Sequence, residues 1–105
     1  MREEKKIFAG VLFAPGDTSL REIKLKTHNL CSEYNLTFED EVERRAKLIG
    51  EIFASFGAGG FIQGPIFIHY GIHTTIGRNF FGNFNLTIQD DARVQIGDHC
   101  SFGPM

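Results

Sequence analysis

The stretch IGRNFFGNFNLTIQDDARVQIGDHCSFG, residues 76–103, decides the fold of this chain. Three pairs of an apolar residue and a glycine mark it: Ile76-Gly77, Ile96-Gly97 and Phe102-Gly103. The last two pairs lie six residues apart (96 to 102), and the first two lie 20 apart (76 to 96). An aliphatic residue followed by glycine at six-residue steps is typical of hexapeptide repeats, in which each step is a short strand and a turn. The stretch therefore predicts a parallel β-helix with aliphatic side chains inside and glycines where the backbone is crowded or bends.

Outward from this stretch, the chain divides into two unlike halves. Residues 1–57 are rich in charge and have a helical pattern, whereas residues 60–105 are rich in Gly, Phe, Ile and Asn. The cluster Gly57-Ala58-Gly59-Gly60 separates them. We therefore predict an α+β chain, with a helical N-terminal domain over 1–57 that caps an incomplete β-helix over 60–105.

Two amphipathic helices are predicted in the first half. The earlier one runs from about Ser19 to Tyr34, with Ser19 and Glu22 as a capping box. One face of it holds Leu20, Ile23, Thr27, Cys31 and Tyr34. The later one has Thr37 as its expected N-cap and ends at Gly57. Its expected apolar stripe is Val42, Ala46, Ile49, Phe53 and Phe56. A further helical turn is predicted between Glu4 and Leu12.

Composition excludes several classes of function. A net charge of −2 and a pI near 6.0 argue against a nucleic-acid partner recognised through bulk positive charge. No apolar run reaches the length of a membrane span, and Glu3 and Glu4 interrupt what would otherwise begin a signal peptide. The two cysteines, Cys31 and Cys100, have no close-spaced metal or redox motif, which favours reduced thiols in the cytoplasm.

The chain resembles the maltose/galactoside O-acetyltransferase family of hexapeptide-repeat acyltransferases. AGVLFAPGDTSL and the helix ending in CSEYN resemble the family's helical N-terminal region, and residues 61–104 resemble its first β-helical coils. The segment GRNFFGNFNLTIQDD, residues 77–91, carries the specific part of the resemblance. The resemblance implies a left-handed β-helix, a homotrimer with active sites between neighbouring subunits, and transfer of acetyl from acetyl-CoA to a sugar hydroxyl.

The resemblance also implies roles for individual residues. Asn83 matches an asparagine that assists the transition state, Asp91 an acidic residue that hydrogen-bonds the acceptor sugar, and Phe81 a ring against which the sugar packs. His69 occupies an acceptor-site position where the family has small or acidic polar residues. Asp17 matches an acceptor-contacting aspartate.

The same resemblance implies an incomplete site. The family's general base is a histidine in a His-Pro element beyond the GPM of residues 103–105, and it is not His99. Most acetyl-CoA contacts also lie in later coils. We therefore expect the chain to be the N-terminal portion of such an enzyme and to be inactive alone. The alternative is a non-catalytic remnant that keeps sugar-binding or trimer contacts. A β-helix cut after about two coils is also expected to associate through its open edges.

Each candidate residue also has a purely structural interpretation. Asn83 and Asn85 could satisfy the backbone at β-helix corners, and Asp90-Asp91 could be a solvated turn pair. Asp17 could favour the positive end of a helix, and Phe81 could be a core or subunit-contact residue. His69 and His73, four apart on an expected strand, could share one side and bind a metal, although no third ligand has an obvious place. The charged face Glu39, Glu41, Glu43, Arg44, Arg45 and Lys47 is expected to be solvated.

Overall fold

Two helices precede eight short strands in the part of the chain that the structure, a computed structural model, describes: residues 18–103. Helix α1 is Thr18–Asn35 and helix α2 is Val42–Ile52. The strands are β1 Ser55–Phe56, β2 Phe61–Ile62, β3 Ile66–Ile68, β4 Thr74–Ile76, β5 Phe81–Gly82, β6 Leu86–Ile88, β7 Val94–Ile96 and β8 Ser101–Phe102. The predicted order of helices followed by short strands is therefore observed, and the helical turn expected at Glu4 to Leu12 lies outside the described residues.

The strands form three parallel sheets that wind as a β-helix. Their orders are β1-β4-β7, β2-β5-β8 and β3-β6. Ser55 pairs with Thr75 and Thr75 with Gln95, so one coil takes 20 residues (55 to 75 to 95). The predicted parallel architecture is confirmed for these coils, and the left-handed sense stays a prediction.

Six-residue steps describe only part of each coil. The starts of β1 and β2 differ by six (55 to 61), those of β2 and β3 by five (61 to 66), and those of β3 and β4 by eight (66 to 74). The long step contains residues 69–73, and its counterpart in the next coil is 89–93. We call this pair of stacked bends the His69 corner.

Aliphatic side chains fill the coils, as the repeat predicts. Ile62, Ile66, Ile68, Ile76, Leu86 and Ile88 are all buried. A Cβ placed on Gly57 would lie 2.6 Å from the carbonyl carbon of Gly77, so stacking of the coils itself requires glycine there. Left-handed backbone falls at other positions, and three of these, Gly59, Asn79 and His99, have φ of 78°, 57° and 60°. These three occupy one corner at 20-residue steps (59 to 79 to 99).

Helix α1 follows its prediction closely. Its expected inner face is buried except for the half-buried Ile23. Three side chains dock it on the coils. Thr27 Oγ1 donates to the Tyr70 carbonyl (2.7 Å), and Tyr34 Oη donates to the Ile62 carbonyl (2.6 Å). Asn35 both donates to the Ile66 carbonyl (3.0 Å) and accepts from the Ile66 amide (2.7 Å), which satisfies backbone groups of β3.

Helix α2 differs from its prediction at both ends. It ends at Ile52 because Phe53 adopts extended backbone (φ −96°, ψ 153°), and Phe56 lies in β1. Thr37 is not its N-cap: Glu41 holds that position, while Thr37 Oγ1 donates to the Tyr34 carbonyl at the end of α1 (2.6 Å). The buried residues of α2 are Arg45, Leu48, Ile49 and Ile52, whereas Val42 and Ala46 of the expected stripe are exposed.

Arg45 corrects the prediction of a fully solvated charged face. Its guanidinium is buried, lies 4.7 Å from the centroid of the Tyr34 ring, and donates to Thr37 Oγ1 (2.8 Å). It also donates to the carbonyls of Ile62 (3.2 Å) and Gln63 (3.3 Å). The planar fork of arginine suits such divergent acceptors, so Arg45 joins both helices to the first coil.

Candidate functional site

The His69 corner brings two of the expected site residues together. His69 follows β3, and Asp91 lies three residues after the end of β6 in the next coil, so stacking of the coils brings both to the same corner. His69 Nε2 and Asp91 Oδ1 lie 3.5 Å apart, and both side chains keep contact with solvent. An imidazole beside a carboxylate can donate to and accept from hydroxyl groups, as recognition of a sugar requires.

Asp90 shapes this corner from inside, which corrects its interpretation as a solvated turn residue. Its side chain is fully buried. Oδ1 accepts from the Tyr70 amide (2.6 Å), and Oδ2 accepts from Thr74 Oγ1 (2.7 Å). Asp90 immediately precedes Asp91, and Tyr70 immediately follows His69. The bond between Asp90 and Tyr70 therefore fixes the backbone next to each member of the candidate pair.

His73 does not face the same side as His69. It is buried, and its Nδ1 lies 2.8 Å from the Asp90 carbonyl. The Tyr70 ring contacts both imidazoles, with centroids 4.9 Å from His69 and 4.7 Å from His73. The two histidines flank a bend instead of a strand, so the alternation that would align them does not apply. Within residues 18–103, no group of three or more His, Cys, Asp or Glu is arranged to hold a metal ion.

A groove of about 370 Å³ opens beside His69, between α1 and the β3–β6 sheet. Helix α1 lines it with His28, Cys31, Ser32 and Asn35, and the coils line it with residues that include Phe67, His69, Thr87 and Gln89. The His28 and His69 rings lie 5.5 Å apart between centroids and are tilted by 44°. His28 was not among the residues expected at the site, although its spacing from Lys24 and Ser32 places all three on one helical face.

Electrostatics favour the neutral form of His28. Partial burial lowers the pKa of its imidazole below the ordinary value of 6.5, and the neighbouring His69 and Lys24 lower it further. A neutral imidazole has one N–H donor and one acceptor nitrogen, so His28 can serve a hydroxyl in either direction.

The other two described candidates, Phe81 and Asn83, lie at a different corner. Asn83 Oδ1 accepts from the Phe84 amide (2.8 Å), which leaves its Nδ2 group as a donor for another partner. The Phe81 ring is partly exposed and stacks on Phe61, with centroids 6.1 Å apart. Asn85 has a φ of 58°, so the turn interpretation holds for that asparagine. Asp17 lies outside the described residues.

Comparison with known proteins supports the resemblance seen in the sequence. Residues 6–57 match the model described as the maltose acetyltransferase hexapeptide capping motif. A galactoside O-acetyltransferase of Escherichia coli (strain K12) is 42% identical over 95% of this chain and 49% of its own length. Neither described helix is long and apolar enough to cross a membrane.

Solved structures match the whole architecture. A galactoside acetyltransferase in complex with coenzyme A has a TM-score of 0.81 and 42% identity, over 92% of this chain and 48% of that one. A hexapeptide-repeat acetyltransferase of Vibrio cholerae O1 biovar eltor, complexed with acetyl coenzyme A, has a TM-score of 0.90 and 28% identity, over 99% and 56%. The helix-capped coils are thus those of the hexapeptide-repeat acetyltransferases. Within that class, the chain belongs to the maltose/galactoside O-acetyltransferase family. It spans about half the length of the relatives that it matches.

Proposed function

We propose that this chain carries the acceptor side of a sugar O-acetyltransferase, which moves an acetyl group from acetyl-CoA to a sugar hydroxyl. The juxtaposition of Asp91 with His69, which lines the groove beside α1, carries the proposal. Both side chains are polar and partly exposed, whereas the neighbouring Ile68 and Ile88 are buried. Membership of the family supports acetyl transfer as the reaction. The two solved relatives are complexes with coenzyme A and with acetyl coenzyme A, which supports acetyl-CoA as the acetyl donor.

In the proposed reaction, the sugar hydroxyl oxygen attacks the carbonyl carbon of the acetyl thioester. A carbon–oxygen bond forms, the hydroxyl proton passes to a general base, and the carbon–sulfur bond breaks to release coenzyme A as its thiol. Asp91 accepts a hydrogen bond from a sugar hydroxyl, and His69 holds a second one. Fixing the acceptor in this way contributes through orientation, which can supply several kcal/mol of a barrier.

Asn83 is proposed to stabilise the tetrahedral oxyanion. Its Nδ2 group is suited to this because Oδ1 is already occupied by the Phe84 amide. Loss of one such donor typically lowers a turnover rate by about 10²–10³-fold. Phe81, stacked on Phe61, offers the apolar face of a sugar ring a partly exposed surface.

A second copy of the chain is proposed to combine these groups. Asn83 precedes strand β6 and Asp91 follows it, so the two side chains belong to different corners of the coil. We therefore propose that a site forms where the Asn83 corner of one subunit meets the His69 corner of its neighbour, in a homotrimer.

Thiol release from acetyl-CoA, measured with a panel of sugars, tests the activity directly. We expect no turnover by the 105-residue chain, because the family's His-Pro general base is not among its residues. Turnover by this chain would contradict the assignment of the general base to that His-Pro element. Sugar binding without turnover is expected both for the acceptor side of such an enzyme and for the alternative, a non-catalytic protein that keeps the acceptor contacts.

Isothermal calorimetry with the same sugars tests the acceptor site. Asp91→Asn removes the charged acceptor but keeps the shape of the side chain, so we expect sugar affinity to fall by about tenfold or more. Asp40→Asn, in the exposed loop before α2, is the matched control and should bind as the parent does. Equal binding by both variants would contradict the proposed role of Asp91.

A further inference from the structure

The His28 imidazole reaches the candidate acceptor site from a different element than the corner residues. It lies one residue after Thr27, whose hydroxyl is bonded to the Tyr70 carbonyl (2.7 Å). That bond holds the middle of α1 against the His69 corner, so the 5.5 Å separation of the His28 and His69 rings rests on a buried anchor. Across the corner, His69 Nε2 lies 3.5 Å from Asp91 Oδ1. Three polar groups therefore follow one another from the helix to the second coil.

The surroundings of these groups are mostly apolar. Ile66, Phe67 and Ile68 lie on the coil side of the groove, and Cys31 lies on the helix side. Polar side chains set among the apolar walls of a groove typically fix the orientation of a ligand. The His28 side chain is exposed and is not part of the hydrophobic core.

We propose that His28 is a further acceptor-binding residue, and that His28 and His69 together hold two adjacent hydroxyls of the sugar. This inference rests on the proposed acceptor site at Asp91. Two imidazoles whose centroids are 5.5 Å apart can each reach one oxygen of a vicinal diol, whose oxygens are closer together than the rings. The substrate class is therefore a sugar with neighbouring free hydroxyls at the position that enters the groove.

The proposal predicts that binding weakens in acid. His28 faces Lys24 on its own helix and His69 on the corner, and Asp91 and Tyr70 lie against His69. Partial burial lowers the pKa of His28, and the neighbouring His69 and Lys24 lower it further, which disfavours a positive charge on its ring. The pKa of His28 lies below the ordinary value of 6.5, so its ring becomes protonated only in acid. Protonation removes the acceptor nitrogen that a sugar hydroxyl would use.

Nitrogen-15 NMR of the histidine rings tests the proposal on the 105-residue chain. The chain has four histidines, so each ring can be assigned from single substitutions. Glucose, galactose and mannose serve as probes, with 2-deoxyglucose as a probe that lacks one hydroxyl. We expect the ring signals of His28 and His69 to shift with one shared Kd, while His99, on the Asn79 corner, stays unchanged. In calorimetry, His28→Ala should weaken binding by about tenfold, and His99→Ala should leave it unchanged.

The outcomes separate this inference from the proposed function. If His69 shifts with sugar while His28 does not, and His28→Ala binds as the parent does, His28 is not an acceptor residue and the acceptor site at Asp91 stands. If no sugar changes any ring signal and calorimetry detects no binding, the proposed acceptor site fails and the inference fails with it. Thermal unfolding of His28→Ala shows whether lost binding reflects lost structure, and an unchanged Tm assigns the loss to the contact.

Discussion

The Asp90 carboxylate and the Tyr70 backbone amide, 20 residues apart in the chain, are joined by a hydrogen bond of 2.6 Å. This bond ties one coil to the next at the point where the candidate site lies. The second carboxylate oxygen of Asp90 accepts from Thr74 (2.7 Å), so one buried side chain holds both ends of the bend at residues 70–74. The spacing of His69 and Asp91 is thus set by a residue that does not itself face solvent.

Asp90→Ala should destabilise the chain by about 3 kcal/mol or more. The substitution leaves the Tyr70 amide and the Thr74 hydroxyl buried without their acceptor. Asp90→Asn should cost less, about 1–2 kcal/mol, because one oxygen remains and the Thr74 hydroxyl can rotate to accept. Urea denaturation measures both values. A loss below 1 kcal/mol for Asp90→Ala would contradict this account of the corner.

Tyr34→Phe should lower the free energy of unfolding by about 1–2 kcal/mol. The Tyr34 hydroxyl is buried and donates to the Ile62 carbonyl (2.6 Å), and burial raises the pKa of the phenol, which keeps it a donor. Arg45 still donates to the same carbonyl (3.2 Å), so the loss stays moderate. Combining Tyr34→Phe with Arg45→Lys in a double-mutant cycle should show coupling, since both substitutions act on one acceptor. Strict additivity would indicate that the two donors act independently.

The free energy of unfolding should decrease as the pH is lowered, and protonation of His28 should account for part of this decrease. The pKa of His28 is lower in the folded chain than its ordinary value of 6.5, so the unfolded chain binds more protons in the window just below that value. Stability from this group is therefore complete above pH 6.5 and is lost as the pH falls through the folded pKa. His28→Gln should flatten the profile between pH 7 and 5 relative to the parent chain, in denaturation measured at each pH. Superimposable profiles would contradict it.

The two cysteines should differ in reactivity. Burial raises the pKa of the Cys31 thiol; a backbone hydrogen bond with Ile68 acts in the opposite direction, and the charge of Asp90 adds to the rise. Cys31 is also nearly inaccessible, whereas Cys100 is half-buried near the last described strand. We expect Ellman's reagent to modify Cys100 first and Cys31 only as the chain unfolds. Cys100→Ser should abolish the fast phase, and a fast phase that persists in this variant would refute the assignment.

Features that depend on residues close together in the sequence were predicted correctly. The inner face of α1 repeats at helical spacing, and the aliphatic interior repeats along the strands, so both are visible locally. Local patterning was misleading at the end of α2. Phe53 and Phe56 continue the helical spacing, yet their rings stack at 5.9 Å after the backbone has become extended, and Phe56 meets Phe80 of the next coil at 6.3 Å. Packing against a distant residue outweighed helical periodicity there.

Parts of the site depend on contacts that no local pattern contains. Asp90 and Asp91 are identical neighbours in the sequence, but coil stacking buries the first against Tyr70 and exposes the second beside His69. His28 meets His69 only because α1 docks through Thr27 and Tyr34. The family resemblance implied roles for Asn83 and Asp91, and the structure adds that they lie at different corners of the chain.

The column of left-handed residues at Gly59, Asn79 and His99 makes the coil a modular unit of 20 residues. Asn79 Nδ2 lies 3.2 Å from His99 Nδ1, so adjacent members of the column touch. Inserting or deleting one residue just before Arg78 would move Arg78 or Phe80 into this backbone conformation and would turn interior side chains outward. A duplicated segment of 20 residues would preserve every ladder. Growth or shortening of this protein during evolution is therefore expected to occur by whole coils, and designed extensions should be built in the same increments.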